Sequence, residues 1–512
     1  VKLDKDKVLK NFLLEKPRDI QVEAIERMCT SYNNGAEYVV LEMPVGGGKS
    51  HVAGAFAQTF GESFTLTLTE QLQEQYLRDF AGIGMKTLKG RGKFKCHNLG
   101  SGSTCADGRH LKPKCTGCPY QLAKSQALAA PHVVSNYHSH LWNIAMAMGE
   151  EAPEERPFLV VDEAHAMESF LLDAIGVTVR LNKLSVVVPP PPDEEDIALP
   201  YIEYISTELL PKLKEEDKRT VDPRAKEELS SLISKLNMVL RTAEDIRWIP
   251  ERGTIMGSSA LDRTWFSLKP LYVARWGSDL YRHGKKKLFM SGTILSAYQF
   301  INSVGLDPET GDHIELGSTF PVENRPIYVG NLNMTKKYRE ESWPIMVQMV
   351  ERLLTAHPNE KGLLLCPSNE MLKYISKGLG RVNSSRLVFA AGENRMEQYQ
   401  RHVNGRSPTV LAASGFWEGA DLKGDASRFQ ILPQAPRPMW KGQVAARAQA
   451  PGGDDWYRWQ TWQKFLQGTG RSVRSETDTA VTYVFDRELR MELKRKDSMI
   501  PKWVRDACKE VG

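Results

Sequence analysis

Cysteine is scarce in this chain, with 7 in 512 residues, too few for the disulfide framework that holds small secreted domains together. Long apolar runs are missing as well: no stretch approaches the ~20 consecutive apolar residues a membrane span requires. The first residue is Val1 and not Met, and Val1-Lys2-Leu3-Asp4-Lys5-Asp6-Lys7 is too charged for a secretory signal. An excess of either charge is also lacking. The 68 Lys and Arg stand against 63 Asp and Glu for a net charge of +5, which is compatible with a polyanionic partner without identifying one. What remains is the composition of an ordinary globular protein, 41% hydrophobic and 26% charged. Its length suits roughly three or four domains. The absences predict an intracellular protein with no membrane partner.

Leu159-Val160-Val161-Asp162-Glu163-Ala164-His165 runs three apolar residues straight into two carboxylates. A short apolar run of this kind predicts a strand buried on both faces of a parallel sheet. In open α/β sheets, chemistry sits outside the carboxyl ends of the strands, where one carboxylate can hold a metal and the other orient water. Taken alone, a capped helix start explains the pair equally well. Upstream, strand-like Tyr38-Val39-Val40-Leu41 leads into Met43-Pro44-Val45-Gly46-Gly47-Gly48-Lys49-Ser50. Met43 occupies the place of the first glycine in the strict phosphate-loop pattern, so that pattern fails. The remaining Gly46, Gly47, Gly48, Lys49 and Ser50 keep what the chemistry needs. Glycines let backbone N–H groups wrap phosphates, the lysine reaches β/γ oxygens, and the serine hydroxyl ligates Mg²⁺. The two segments read together as halves of an ATP site.

Basic residues Lys86, Lys89, Arg91, Lys93 and Lys95 crowd ahead of Cys96, and Cys96, Cys105, Cys115 and Cys118 follow one another within 23 residues. Four thiols with one close pair, Cys115/Cys118, predict a metal site, and the spacing fits zinc or an iron–sulfur cluster equally. Residues 170–285 change character. A Pro189–Pro192 run precedes acidic residues, and Leu229, Leu232, Ile233, Leu236, Val239, Leu240 and Ile246 keep helical spacing. Tyr201, Ile205, Leu209 and Leu213 predict a partner helix, so the region reads as a helical insertion. The turn-rich stretch 310–340 reads as a boundary. Strand–helix alternation then restarts, with strands expected at 362–366, 387–389, 409–412, 429–432 and 480–485.

Several segments, in order, resemble the XPD/DinG-type iron–sulfur helicases of superfamily 2. Met43–Ser50 is similar to the family's motif I, and Leu66–Gln75 to motif Ia. Lys89-Gly90-Arg91 through Cys96, and Cys118-Pro119-Tyr120, resemble the borders of its cluster domain. Asp162-Glu163-Ala164-His165 is similar to the DEAH box, and Ser291-Gly292-Thr293 stands where Ser-Ala-Thr is more usual. Gly415-Phe416-Trp417-Glu418-Gly419-Ala420-Asp421 resembles motif V, and Gln467-Gly468-Thr469-Gly470-Arg471-Ser472-Val473-Arg474 resembles motif VI. A linker with Pro451-Gly452-Gly453-Asp454-Asp455 and Trp456, Trp459 and Trp462 departs from the family pattern.

The resemblance implies an α/β fold with two recA-like motor domains, an iron–sulfur insertion and a helical arch. The first motor domain is expected at 1–88, 132–172 and 284–312, the cluster domain at 89–131, the arch at 173–283, and the second motor domain at 313–512. The implied function is ATP-dependent 5′→3′ translocation on single-stranded DNA with unwinding of forked or tailed duplexes. The alternatives are a nucleic-acid-stimulated ATPase subunit that barely unwinds, and an RNA-directed helicase. The implied cofactors are ATP, Mg²⁺ and a [4Fe–4S] cluster on Cys96, Cys105, Cys115 and Cys118. Lys49, Ser50 and Asp162 would serve phosphates and Mg²⁺, and Glu163 the attacking water with help from Gln467. Arg471 and Arg474 would serve the transferring phosphoryl group, and His165 would link the ATP site to motif VI. Arg18, Gln21, Gly46, Gly47, Gly48, Gly419 and Asp421 complete the expected nucleotide side. Tyr137, Trp417 and basic residues 86–95 are candidates for gripping the strand, and the arch for protein partners. The implied location is the cytoplasm or nucleoid, or the nucleus in a eukaryote.

Overall fold

Strands that bury both faces favour apolar residues, and these form the inner run of β1 (Tyr38–Glu42) and β5 (Arg156–Asp162), while β2 (Ser63–Thr67) and β4 (His132–Asn136) bury serine, threonine and histidine as well and the edge strand β3 (Met85–Leu88) exposes Lys86. The computed structural model describes residues 2–100, 102–109, 115–145, 153–194, 197–254, 264–390, 392–415, 422, 424–473 and 475–511. Further along lie β6 (Val177–Arg180), β7 (Trp248–Thr254), β8 (Thr264–Pro270), β9 (Gly284–Ser291) and β10 (Gly311–Glu315). The first sheet is parallel throughout in the order β10-β1-β9-β5-β2-β4-β3. Because side chains alternate along a strand, β1 sends Val39 and Leu41 to one core and Tyr38 and Val40 to the other. Each core is closed by helices.

A second parallel sheet holds β11 (Ile327–Leu332), β12 (Gly362–Leu365), β13 (Leu387–Phe389), β14 (Val410–Ala413), β15 (Phe429–Leu432), β16 (Val481–Asp486) and β17 (Cys508–Glu510), in the order β13-β14-β12-β15-β16-β11-β17. It too has a core on each face. The two recA-like layers expected from the sequence are present. The stretch read as a turn-rich boundary contains β10, which pairs with β1, so the chain leaves the first sheet after Glu315 and not at 312.

The insertion between β5 and β9 is not purely helical, which corrects the sequence expectation. Its helices, Ala198–Tyr204 continuing through a π-turn to Arg219, and Pro223–Thr242, pack on an antiparallel sheet β6-β8-β7. The second helix stops at Thr242, short of Ile246. The tetraproline run is strapped to the first: Tyr204 Oη donates to Pro189 O at 2.7 Å and Tyr201 Oη to Pro192 O at 2.9 Å. Polyproline II repeats every three residues, so both carbonyls face the tyrosines. No helix among the described residues is long and apolar enough to cross a membrane.

Candidate active site

β1, β9 and β5 are neighbours, and their carboxyl ends are level: Glu42 pairs with Ser291, and Asp162 with Met290. The loop after β1, the Gly292-Thr293 turn after β9 and the Glu163 turn after β5 therefore emerge side by side. Gly46 and Gly48 take φ of 81° and 85°, a region that strains any residue with a Cβ. At Gly48 a Cβ would also collide with the Gln21 amide. The helix Lys49–Phe60 starts directly behind, aiming its unpaired N–H groups into the loop.

Arg18 and Gln21 brace that loop from outside. The Arg18 amide N–H donates to Gln21 Oε1 at 2.8 Å, Arg18 Nη1 to Gly46 O at 2.6 Å, and Gln21 Nε2 to Gly48 O at 3.2 Å. Lys49 Nζ folds onto its own loop, donating to Met43 O at 2.9 Å.

Asp162 is buried in a cage of donors. Tyr76 Oη donates to its Oδ2 at 2.9 Å, the Glu163 N–H to its Oδ1 at 2.9 Å, and Tyr137 Oη to its carbonyl at 2.6 Å. The Ser50 hydroxyl lies close enough to the Tyr76 phenol to affect its ionisation. Burial first, and the Glu163 charge second, push the Asp162 carboxyl up to about 6. Glu163 goes the other way. Burial alone would raise it, but the His165 hydrogen bond and charge, with Lys49 and Arg471, bring it down to about 2. Its φ of 53° is left-handed, a conformation that costs a non-glycine residue roughly 1–2 kcal/mol. The surrounding contacts hold it there.

The second parallel-sheet half closes the site. A cleft of about 880 Å³ is lined by Gly46, Glu163, His165, Thr293, Gln467 and Arg471, among others from both halves. His165 Nδ1 lies 2.8 Å from Ser291 Oγ and 3.3 Å from Glu163 Oε2. The Thr293 N–H donates to Ser291 Oγ at 3.1 Å, and Gln467 Nε2 to Thr293 Oγ1 at 3.4 Å. His165, Ser291, Thr293 and Gln467 thus form one chain of polar contacts from the first sheet's loops to the second half.

Glu163, Gln467 and Arg471 meet at the cleft, Asp162 is buried behind Glu163 with the Lys49 charge felt at both, Ser50 opens the helix after the loop, and Arg18 and Gln21 brace that loop. Gly419, Asp421, Trp417 and Arg474 lie outside the described residues. Tyr137 is buried against Asp162, so the strand-stacking role expected of it does not hold. Lys89 and Lys93 form exposed ion pairs with Glu74 at 2.5 Å and Glu70 at 2.8 Å. Such pairs are worth only about 0.2–1 kcal/mol and leave the lysines exchangeable toward a phosphate. Sequence reasoning missed Tyr76 as a partner of Asp162. Nothing local marks it, because the partners are 86 residues apart.

The four clustered cysteines are all free thiols. Cys105 Sγ is 3.9 Å from Cys118 Sγ, and Cys115 Sγ is 3.5 Å from Asn98 Oδ1. Cys96 and Cys118 both lie within electrostatic reach of Cys105 and of Cys115. Among the described residues no three His, Cys, Asp or Glu side chains are drawn together tightly enough to enclose a metal ion.

Two family models match, the type III restriction enzyme res subunit over residues 14–175 and the helicase C-terminal domain over residues 350–507. The first match spans Lys49 and Glu163 and the second spans Gln467 and Arg471, so each covers one side of the cleft. The ATP-dependent DNA helicase YoaA of Escherichia coli (strain K12) is 24% identical over 238 residues, covering 44% of this chain and 37% of that protein. YoaA of Haemophilus influenzae is 23% identical over 241 residues, covering 44% and 36%. The matches thus span little more than a third of these relatives' length. Among solved structures, an XPD helicase aligns with a TM-score of 0.67 at 14% identity, covering 97% of this chain and 100% of that one. S. tokodaii Xpd4 aligns at 0.60 and 13%, with the same coverage. In fold the chain is similar to these XPD helicases over nearly its whole length.

Proposed function

We propose that this chain is an ATP-dependent DNA helicase that moves 5′→3′ on single-stranded DNA and opens forked or tailed duplexes. The observation that carries the ATPase part is the meeting of Gly46, Glu163, Gln467 and Arg471 on one cleft between two recA-like halves, with the Lys49 charge felt at both Glu163 and the buried Asp162 behind it. Gly46–Gly48 and the helix behind them would cradle phosphates, and Lys49 would leave its loop carbonyls for the β/γ oxygens. Ser50 and Asp162 would hold Mg²⁺, which supplies charge neutralisation when bound. Glu163, ionised beside His165, would polarise the attacking water, and Gln467 would position it. Arg471, with Arg474 expected beside it, would meet charge developing on the phosphoryl group. The polarity and the DNA substrate rest on the family likeness.

Tyr76 would act on the metal through Asp162 and Ser50, since partners that orient metal-binding groups commonly carry 10–100-fold in affinity. Tyr76→Phe keeps the ring and removes the hydroxyl. The Mg²⁺ concentration that half-saturates ATP turnover is expected to rise about tenfold, with little change in Tm. An unchanged Mg²⁺ midpoint would refute the role.

The cysteine loop fits a thiolate-bound group in its chemistry: four free thiols in one short segment, two of them 3.9 Å apart. A [4Fe–4S] cluster there would order a segment too poor in apolar residues to hold itself. The test of the whole reading is strand displacement on duplexes tailed at either end, alongside iron and zinc analysis of anaerobically purified protein. Expected are 5′-tail-dependent unwinding, a broad absorption band near ~400 nm from iron–sulfur charge transfer, and in Cys105→Ser a far larger loss of unwinding than of ATP turnover. ATP turnover without unwinding would favour an ATPase subunit, and colourless protein with one zinc would refute the cluster.

A further inference from the structure

The helix Gly453–Thr469 belongs to both motor halves. Trp462, Phe465 and Leu466 enter the second sheet's core, whereas Trp456 and Trp459 enter the core shared by the first motor half and the arch. Trp456, Gln460, Gln463 and Gln467 stand at i, i+4, i+7 and i+11, one stripe along the helix. Every member bonds to the first half. Trp456 Nε1 donates to Glu168 Oε2 at 2.9 Å and Gln460 Nε2 to the same oxygen at 3.0 Å. Gln463 Nε2 donates to Thr293 O at 3.0 Å and Gln467 Nε2 to Thr293 Oγ1 at 3.4 Å. Beside the stripe, Trp459 Nε1 donates to Ile294 O at 2.6 Å.

Glu168 is the charged rung of this ladder. It is 4% exposed, sits in the first turn of the helix Met167–Ile175 and follows the Glu163 turn without an intervening loop. Arg447, 5.3 Å from the Trp456 ring centroid, offsets its charge. A buried carboxylate is retained only where donors and charge compensate its lost hydration. Here the donors come mostly from the other half of the protein.

We propose that Glu168 is a positioning residue for ATP hydrolysis. It anchors the outer end of the bridging helix to the segment that carries Glu163, and so fixes how far Gln467 and Arg471 reach into the cleft. The two halves then pivot about this buried point as the cleft opens and closes. This inference rests on the ATPase reading above. Glu168 touches neither the cleft nor a substrate, so its effect passes through the helix.

The test uses the full chain with Glu168→Ala, Glu168→Gln and Trp456→Phe. Misplacing reacting groups by ~1 Å can cost about 10²-fold in rate, so Glu168→Ala is expected to lower kcat at least ~10-fold while KM for ATP stays within about twofold. Glu168→Gln keeps one acceptor oxygen and should recover most of the rate. Combining Glu168→Ala with Trp456→Phe should be no slower than the slower single variant, as for two ends of one contact. A kcat for Glu168→Ala near that of the wild type, or multiplicative losses in the double variant, would overturn the proposal. If Glu168→Ala fails to fold, Glu168→Gln combined with Trp456→Phe carries the same comparison. A wild-type chain that does not turn over ATP would overturn the proposed function instead. The anchor would then be judged by hydrogen exchange over residues 453–469, which should quicken in the variants relative to β1 and β5; unchanged exchange would reject it.

Discussion

Glu163→Gln is expected to lower strand-stimulated ATP turnover by roughly 10²–10⁴-fold, the range a positioned general base contributes, while ATP still binds. The substitution is nearly isosteric, so the turn after β5 should keep its shape and the fold its Tm. What it removes is the charge. His165, Lys49 and Arg471 together hold the Glu163 carboxyl ionised against its own burial, and an amide answers none of them. The left-handed backbone at Glu163 is a local cost that only a particular side-chain direction repays, and that direction is into the cleft. The check is single-turnover hydrolysis beside equilibrium nucleotide binding. Near-normal hydrolysis in the purified variant would refute Glu163 as the water-polarising group, whereas weakened binding with an unchanged rate constant would reassign it to holding nucleotide. Lys49→Ala should differ by losing binding as well, because its contact with the phosphates precedes the transition state.

The site was legible in the sequence wherever its chemistry depends on residues close together in the chain. Three glycines before Lys49 announce a loop of unusual φ, and the apolar run into Asp162 and Glu163 announces a buried strand with an exposed end. Both are local consequences of backbone geometry. What the sequence concealed were contacts over long separations. Tyr76 reads as one more polar position on an amphipathic helix, and only the fold brings it to Asp162. The three tryptophans after Gly453 stood out as a departure from the family pattern, but nothing local divides them between two cores. Trp456 reaches Glu168 across 288 residues. The antiparallel sheet in the arch was hidden for a different reason. β7 contains Pro250 and Gly253, and β8 ends in Pro270, residues that weaken a strand pattern, while the neighbouring helices have strong 3/4 spacing. Basic residues 86–95 read as a nucleic-acid face, yet Lys89 and Lys93 have carboxylate partners whose proximity the sequence does not encode.

Arg471→Ala should be the more severe lesion, with hydrolysis falling by roughly 10³–10⁵-fold, the contribution of an arginine supplied to a phosphoryl transition state. The bridging helix ends at Thr469, and the chain turns at Gly470 to deliver Arg471 into the cleft opposite Gly46. Arg471 as a whole is 9% exposed and its charge is felt at Glu163, so it works where water screens it little. Negative charge builds on the leaving oxygen as its bond to the transferring phosphoryl group stretches. A cation placed there therefore binds the transition state more strongly than it binds ATP, and its loss should appear in kcat far more than in ATP affinity. Arg471→Lys separates charge from shape. An ammonium keeps the charge and loses the planar fork, so partial recovery is expected if charge dominates, and none if two-point contact with the phosphoryl oxygens is required. Equal loss of ATP affinity and kcat in Arg471→Ala would place the residue on the ground-state nucleotide instead. Hydrolysis within a few-fold of wild type would mean that Arg474 alone serves the transition state.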